Sequence, residues 1–258
     1  MDTYRFIPGR TRLLVSIPHA GRFVPPGIGV RMTGAARLLP DTDWHVDRLY
    51  DFLGEMGASV LIATHSRYVV DLNRPADNSP LYRGMTETGV CPTDTFDGEP
   101  IWRERQAPAA DEVPERIDRY WRPYHDRLRA ELDALRSTHG SAVLWDAHSI
   151  RSRVPRLFTG ELPVLNIGTN GGQSCDADVA ARLFAYAAAI PKCTAVLNGR
   201  FKGGYVTRTY GDPASGINAV QLELAQRSYM DEKSGEYLPE KARQIGPSLR
   251  ALLEIAVG

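Results

Sequence analysis

Three ionisable residues stand where the chain is otherwise apolar. His19 leaves Leu13-Leu-Val-Ser-Ile17 through a Pro18 kink eased by Gly21, and His148 closes Trp145-Asp-Ala-His-Ser149 at the end of an apolar run. Glu223 lies inside Gln221-Leu-Glu-Leu224. A carboxylate buried there without a partner costs several kcal/mol, so Glu223 needs a metal, a cation or a catalytic role. A catalytic metal site that uses all three follows the rule of two imidazoles and one carboxylate, with a fourth position left for water. His19 and His148 are the candidate imidazoles. The carboxylate is expected near His19, where a helix starting around Asp43 offers Asp43 and Asp47, one turn apart. Glu223 is then the general base that polarises a metal-activated water.

Each residue also has an ordinary explanation. A histidine at a strand end is commonly structural or exposed, and the helix dipole alone favours acids in a first turn. His45, His65, His125 and His139 are assigned no chemistry. Recognition has a more local signal in Asp71-Leu-Asn-Arg74, which is followed at once by Pro75. Asn73 offers both a donor and an acceptor, Arg74 a planar fork for a carboxylate, and Arg208 in Lys202-Gly-Gly-Tyr-Val-Thr-Arg208 a second clamp. The glycines there fit neither a dinucleotide fingerprint nor a P-loop.

The elements that must position these residues alternate between strand-like and helical stretches, the pattern of an α/β layered fold. Strands are expected at Leu13–Ile17, Ala58–Ile62, Tyr68–Leu72, Ala142–Trp145, Val164–Ile167, Thr194–Leu197 and Ile217–Leu224. Several are apolar on both faces, as buried parallel strands are. Helices are expected over Trp44–Met56, from Pro114 to His139-Gly140, over Ala177–Ile190 and over Pro239–Ala256. Two Gly/Pro-rich stretches, Asn73–Ala110 and Gly199–Gly216, read as long loops that serve a site rather than as linkers. One domain spanning 1–258 is the economical reading.

Composition narrows the function classes. The 258 residues carry 31 Lys+Arg against 31 Asp+Glu, so no electrostatic footprint calls for nucleic acid or an anionic membrane. Cys91, Cys175 and Cys193 are odd in number and lack a C-x-x-C pair, which argues against a disulfide framework or a Cys-bound zinc. No signal core or membrane-spanning run is apparent, and a cytoplasmic enzyme acting on a small molecule is expected.

Six strings together give the chain a likeness. Val15-Ser-Ile-Pro-His-Ala-Gly21, Asp41-Thr-Asp-Trp44 continuing to Asp47-Arg-Leu-Tyr50, Ser66-Arg-Tyr-Val-Val-Asp-Leu-Asn-Arg74, Asp146-Ala-His-Ser149, Phe201-Lys-Gly-Gly-Tyr205 and Gln221-Leu-Glu-Leu224 resemble the N-formylglutamate amidohydrolase (deformylase) family. The likeness runs from about residue 10 to about residue 230. It implies a metal-dependent hydrolase, with Zn2+ or another divalent ion, that converts N-formyl-L-glutamate to L-glutamate and formate in histidine degradation. The implied fold is a mixed central sheet between helical layers, similar to zinc carboxypeptidases and aspartoacylases (phosphorylase/hydrolase-like). By this resemblance His19 and His148 match the two histidines, Asn73 and Arg74 the substrate string, and Glu223 the late catalytic glutamate. The aspartoacylase pattern carries a carboxylate three residues after its first histidine, where this chain has Arg22. Asp47 is therefore preferred as the third ligand, with Asp43 behind it. Another acyl-amino-acid deacylase or a small metallocarboxypeptidase would use the same residues, and a non-catalytic amino-acid-binding protein is the alternative from another class.

Overall fold

The apolar runs become strands because residues alternate between two buried faces of one sheet. The computed structural model describes residues 1–81, 84 and 86–258, so the predicted 73–110 loop is described except at three positions. The strands are β1 (Tyr4–Ile7), β2 (Leu13–Ile17), β3 (Ser59–Ala63), β4 (Ala142–Ile150), β5 (Leu165–Gly168), β6 (Ala195–Leu197) and β7 (Ile217–Ala225). They form one seven-stranded sheet in the order β1-β3-β2-β4-β7-β5-β6. The β3-β2-β4-β7 block is parallel, β1 runs antiparallel to β3, and β5 runs antiparallel to β7. The sheet is therefore mixed, as expected.

The helices are α1 (Pro26–Gly29), α2 (Val46–Leu49), α3 (Glu112–Arg116), α4 (Arg122–His139), α5 (Ala177–Ala189), α6 (Tyr205–Tyr210) and α7 (Pro239–Val257). Side-chain alternation in the strands decides which helix covers which face. Leu13, Val15, Ile17, Val143, Trp145, Val220 and Leu222 pack with Leu183 of α5 and Leu249 and Leu252 of α7. On the other face Leu14, Leu144 and Ala219 pack with Tyr124, Leu128 and Leu132 of α4 and Val206 of α6. Period two then puts Ser16, Asp146, His148, Gln221 and Glu223 on the α4–α6 face. Among the described residues, no helix is long and apolar enough to cross a membrane.

Several expected elements differ. Tyr68–Leu72 is buried but unpaired, a run of turns, because β1 already occupies the edge of β3. Edge strand β1 gave no signal, since it is only four residues long and half-buried on one side alone. The helix expected over Trp44–Met56 is split: α2 ends after one turn and a 3-10 turn follows at Asp51–Gly54. The helix expected from Pro114 starts at Glu112 and widens into a π-helical turn at Ile117–Trp121 before α4, which Gly140 caps at φ 76. Helix α6 forms inside the stretch expected to be loop.

Candidate active site

Parallel strands present their carboxyl ends to ligands at the point where connections diverge to opposite sides. Here β2 is flanked by β3 on one side and β4 on the other. His19 lies just past the end of β2. Its carbonyl accepts from the Asp43 N–H at 3.1 Å, which holds the two residues together. His148 stands directly beside Glu223 in the β4–β7 register. Ligand atoms of His19, Asp43 and His148 all lie within 4.8 Å of one another, and all three residues are buried. They share a cleft with Arg67, Asn73, Arg74, Glu87, Phe96, Arg200, Phe201, Gln221 and Glu223.

The structure brings Asp43, and not the preferred Asp47, to the two histidines. His45 takes a left-handed conformation (φ 61), so the chain turns between Asp43 and α2. Val46, Leu49 and Tyr50 then face the core and leave Asp47 exposed, beside a separate surface depression lined by Arg5 and Arg22. Asp43, by contrast, is 1% exposed and accepts from the Ser149 N–H at 3.1 Å.

Each imidazole is gripped from behind. His19 Nε2 lies 2.8 Å from Asp71 Oδ1, and a carboxylate only accepts, so Nε2 carries the proton and the Nδ1 lone pair is turned toward Asp43 Oδ2, 3.8 Å away. Asp71 in turn accepts from Arg67 Nη2 at 2.6 Å and from the Asn73 N–H at 2.9 Å. His148 Nε2 lies 3.0 Å from Asp146 Oδ2, and its Nδ1 lies 2.9 Å from Asp43 Oδ2. This carboxylate–histidine pattern is how metal-binding imidazoles are oriented.

The electrostatics fit a cation. Burial and the Arg67 charge hold His19 below its ordinary value, against Asp71 and Asp43, so it stays neutral and keeps its lone pair. Burial opposes protonation of His148, but Asp146 and Asp43 outweigh it and raise His148 well above the usual imidazole range. A metal in place of the Nδ1 proton would satisfy that nitrogen and Asp43 together. Burial also works against ionised Asp71 and Asp43, yet Arg67 and His19 hold Asp71 well below the usual carboxylate range, and the His148 hydrogen bond and His19 lower Asp43. Burial, against the His148 charge, pushes Glu223 up to about 8. Its Oε2 accepts from Gln221 Nε2 at 3.3 Å.

The expected substrate residues divide. Arg74 lines the cleft with its guanidinium donating to the Thr88 carbonyl at 2.7 Å. Asn73 is 3% exposed and occupied at both ends of its amide: Oδ1 accepts from the Val206 N–H at 2.8 Å and Nδ2 donates to Asp146 Oδ2 at 3.1 Å. Arg208 sits on α6 with Nε donating to the Gly203 carbonyl at 2.8 Å, and it is not among the described residues lining the cleft. Arg200 is, with Nη2 donating to the Thr86 carbonyl at 3.0 Å and its guanidinium over the Phe201 ring. Sequence reasoning passed over Arg67, Asp71, Asp146 and Arg200. Arg67, Asp71 and Asp146 lie inside strings already singled out, whereas Arg200, one arginine in an arginine-rich chain, carries no signal of its own.

Convergent ionisable groups in a cleft at the strand ends of a mixed α/β sheet define an enzyme site. The chain belongs to the N-formylglutamate amidohydrolase family, whose profile matches residues 11–230. It is 52% identical over 254 residues to the N-formylglutamate deformylase of Pseudomonas aeruginosa, covering 98% of this chain and 95% of that protein. It is 53% identical over 250 residues to the N-formylglutamate deformylase of Pseudomonas putida, covering 96% and 93%. The fold is similar to the crystal structure of N-formylglutamate amidohydrolase from Ralstonia eutropha JMP134, with TM-score 0.84 at 25% identity over 99% of this chain and 98% of that one.

Proposed function

We propose that this protein hydrolyses N-formyl-L-glutamate to L-glutamate and formate, with a divalent metal ion, zinc or another, held by His19, Asp43 and His148. The observation that carries the reading is the meeting of those three residues with Glu223 in one cleft that Arg74 and Arg200 also line. Near full-length similarity to two N-formylglutamate deformylases supports the substrate. The products suit the close of a histidine-degradation route in the cytoplasm.

When bound, a divalent cation supplies Lewis acidity, lowering the pKa of water to about 7 and polarising the formyl carbonyl. The remaining work falls to the chain. Glu223 takes a proton from the attacking water as oxygen bonds to the formyl carbon. It then delivers that proton to the departing amine nitrogen as the carbon–nitrogen bond breaks. A bound cation would lower this carboxyl from about 8, so that it is ionised to accept the proton and can then release it. Arg74 and Arg200 hold the carboxylates of the substrate, and Phe96 and Phe201 exclude water from the walls.

Purified protein assayed on N-formyl-L-glutamate, N-acetyl-L-glutamate and a glutamyl dipeptide tests this. Turnover should be confined to the formyl substrate, be lost on chelation and return with zinc, and Glu223→Gln should lower kcat by ~10²–10⁴-fold. Comparable rates on all three substrates, or full turnover after exhaustive chelation, would overturn it.

A further inference from the structure

We propose that Ser16 and Tyr124 are positioning residues of the metal site, acting through Asp146 on His148; the proposal rests on the metal reading above. Both residues are fully buried, and neither lines the cleft. Ser16 is the one polar residue of β2, in a strand where an alanine would serve packing alone. Register sets it opposite Asp146 across the β2–β4 pair. Its Oγ donates to Asp146 Oδ1 at 3.1 Å and lies 3.0 Å from the Tyr124 hydroxyl.

The direction of the chain follows from what each group can donate. The single Ser16 proton goes to the carboxylate, so the Tyr124 O–H is the donor to Ser16 Oγ, with the Leu61 carbonyl at 3.2 Å as its second acceptor. On the other side of Asp146, Oδ2 accepts from Asn73 Nδ2 at 3.1 Å and lies 3.0 Å from His148 Nε2, which Asn73 Nδ2 also approaches at 2.9 Å. The Asn73 amide cannot flip without placing its NH2 against the Val206 N–H that Oδ1 now accepts. Both oxygens of Asp146 are therefore held, and the carboxylate cannot rotate away from His148. Asp146 and Asn73 thus hold the Nε2 side of the His148 ring and aim Nδ1 at Asp43, and when a metal takes Nδ1 the Asp146 carboxylate is the acceptor for the Nε2 proton. Helix α4 and strand β2 thereby reach the metal position through two hydroxyl groups without touching it.

The test removes single atoms. Ser16→Ala, Tyr124→Phe and Asp146→Asn are each stripped of metal, and Zn2+ affinity is measured by competition with a chromophoric chelator, alongside kcat and KM at saturating zinc. Asp146→Asn and Ser16→Ala should weaken zinc binding by ~10–100-fold, the range found for residues that orient metal ligands. Tyr124→Phe should weaken it less, and the Ser16→Ala/Tyr124→Phe double variant should be no weaker than Ser16→Ala alone, because Tyr124 acts through Ser16. kcat should fall while KM holds. Zinc affinity within twofold of wild type in both Ser16→Ala and Tyr124→Phe would overturn the proposal, even if their thermal stability dropped. A wild-type protein that binds no zinc would instead remove the metal reading itself, and the proposal with it.

Discussion

Asp43 and Asp47 are the same residue type four positions apart, and the fold gives them opposite environments. One accepts from His148 and the Ser149 N–H inside the site, and the other faces solvent across α2. Asp43→Asn should therefore abolish stoichiometric metal binding and turnover, whereas Asp47→Asn should leave both within twofold of wild type, as measured by metal analysis and kcat/KM. Arg200 permits a sharper test of recognition. Its pairing with a substrate carboxylate predicts that Arg200→Gln lowers kcat/KM for N-formyl-L-glutamate by at least tenfold while leaving the weaker rate on N-formyl-L-glutamine nearly unchanged. An equal loss on both substrates would show that the residue does not read the side-chain charge. At this scale the histidines, Glu223 and the Asp-Leu-Asn-Arg string were legible, because an ionisable group in an apolar run stands out. Arg200 and Asp43 were not singled out in the same way, since their importance depends on where a turn sends the chain.

Helix α4 carries a second polar device that the sequence pattern hid. His125 is buried, with Nε2–H donating to the Leu72 carbonyl at 2.8 Å and Nδ1 accepting from the Tyr210 hydroxyl at 2.9 Å, so it ties α4 to α6 and to the segment before Asn73. Burial pushes its pKa down to about 3. The folded value lies below the unfolded value of about 6.5, so the unfolded chain binds a proton first as pH falls. Stability from this residue is complete above pH 6.5 and is lost on acidification toward pH 3. Relative to His125→Gln, wild type should lose about 1.4 kcal/mol per pH unit between pH 5.5 and 4 in urea unfolding. A difference that does not vary with pH would contradict this. Helix α6 is placed by contact rather than propensity: a Cβ on Gly204 would come within 2.5 Å of the Asn73 side-chain atoms. Gly204→Ala should displace the first turn of α6, lowering Tm and activity together. A glycine-rich string reads as loop from sequence alone, because the reason for the glycine is a neighbour 131 positions away.

Across the whole molecule, buried carboxylates at Asp43, Asp71 and Asp146 outnumber the Arg67 guanidinium that faces two of them, so metal binding and folding should be linked. Zinc at a hundred times its Kd should add about 2.7 kcal/mol, a rise in Tm of about 5–10 °C for a chain of this size, and chelation should reverse it in a thermal scan. The balance of 31 basic against 31 acidic residues says nothing of this, because the imbalance is local. Uniformly apolar runs were enough to determine the central strands, and alternation along them put His148 and Glu223 on one face, because period two is a property of the extended chain itself. Tyr68–Leu72 and β1 mark the limit of that reasoning, since burial does not imply pairing and a half-exposed edge strand has little apolar signal. Only the tertiary structure decided which aspartate joins the histidines, which arginines line the cleft, and that Ser16 and Tyr124 lie behind Asp146. Those choices depend on strand order and on turns such as His45, where residues distant in sequence become neighbours through sheet register and helix packing, and no local pattern encodes that distance.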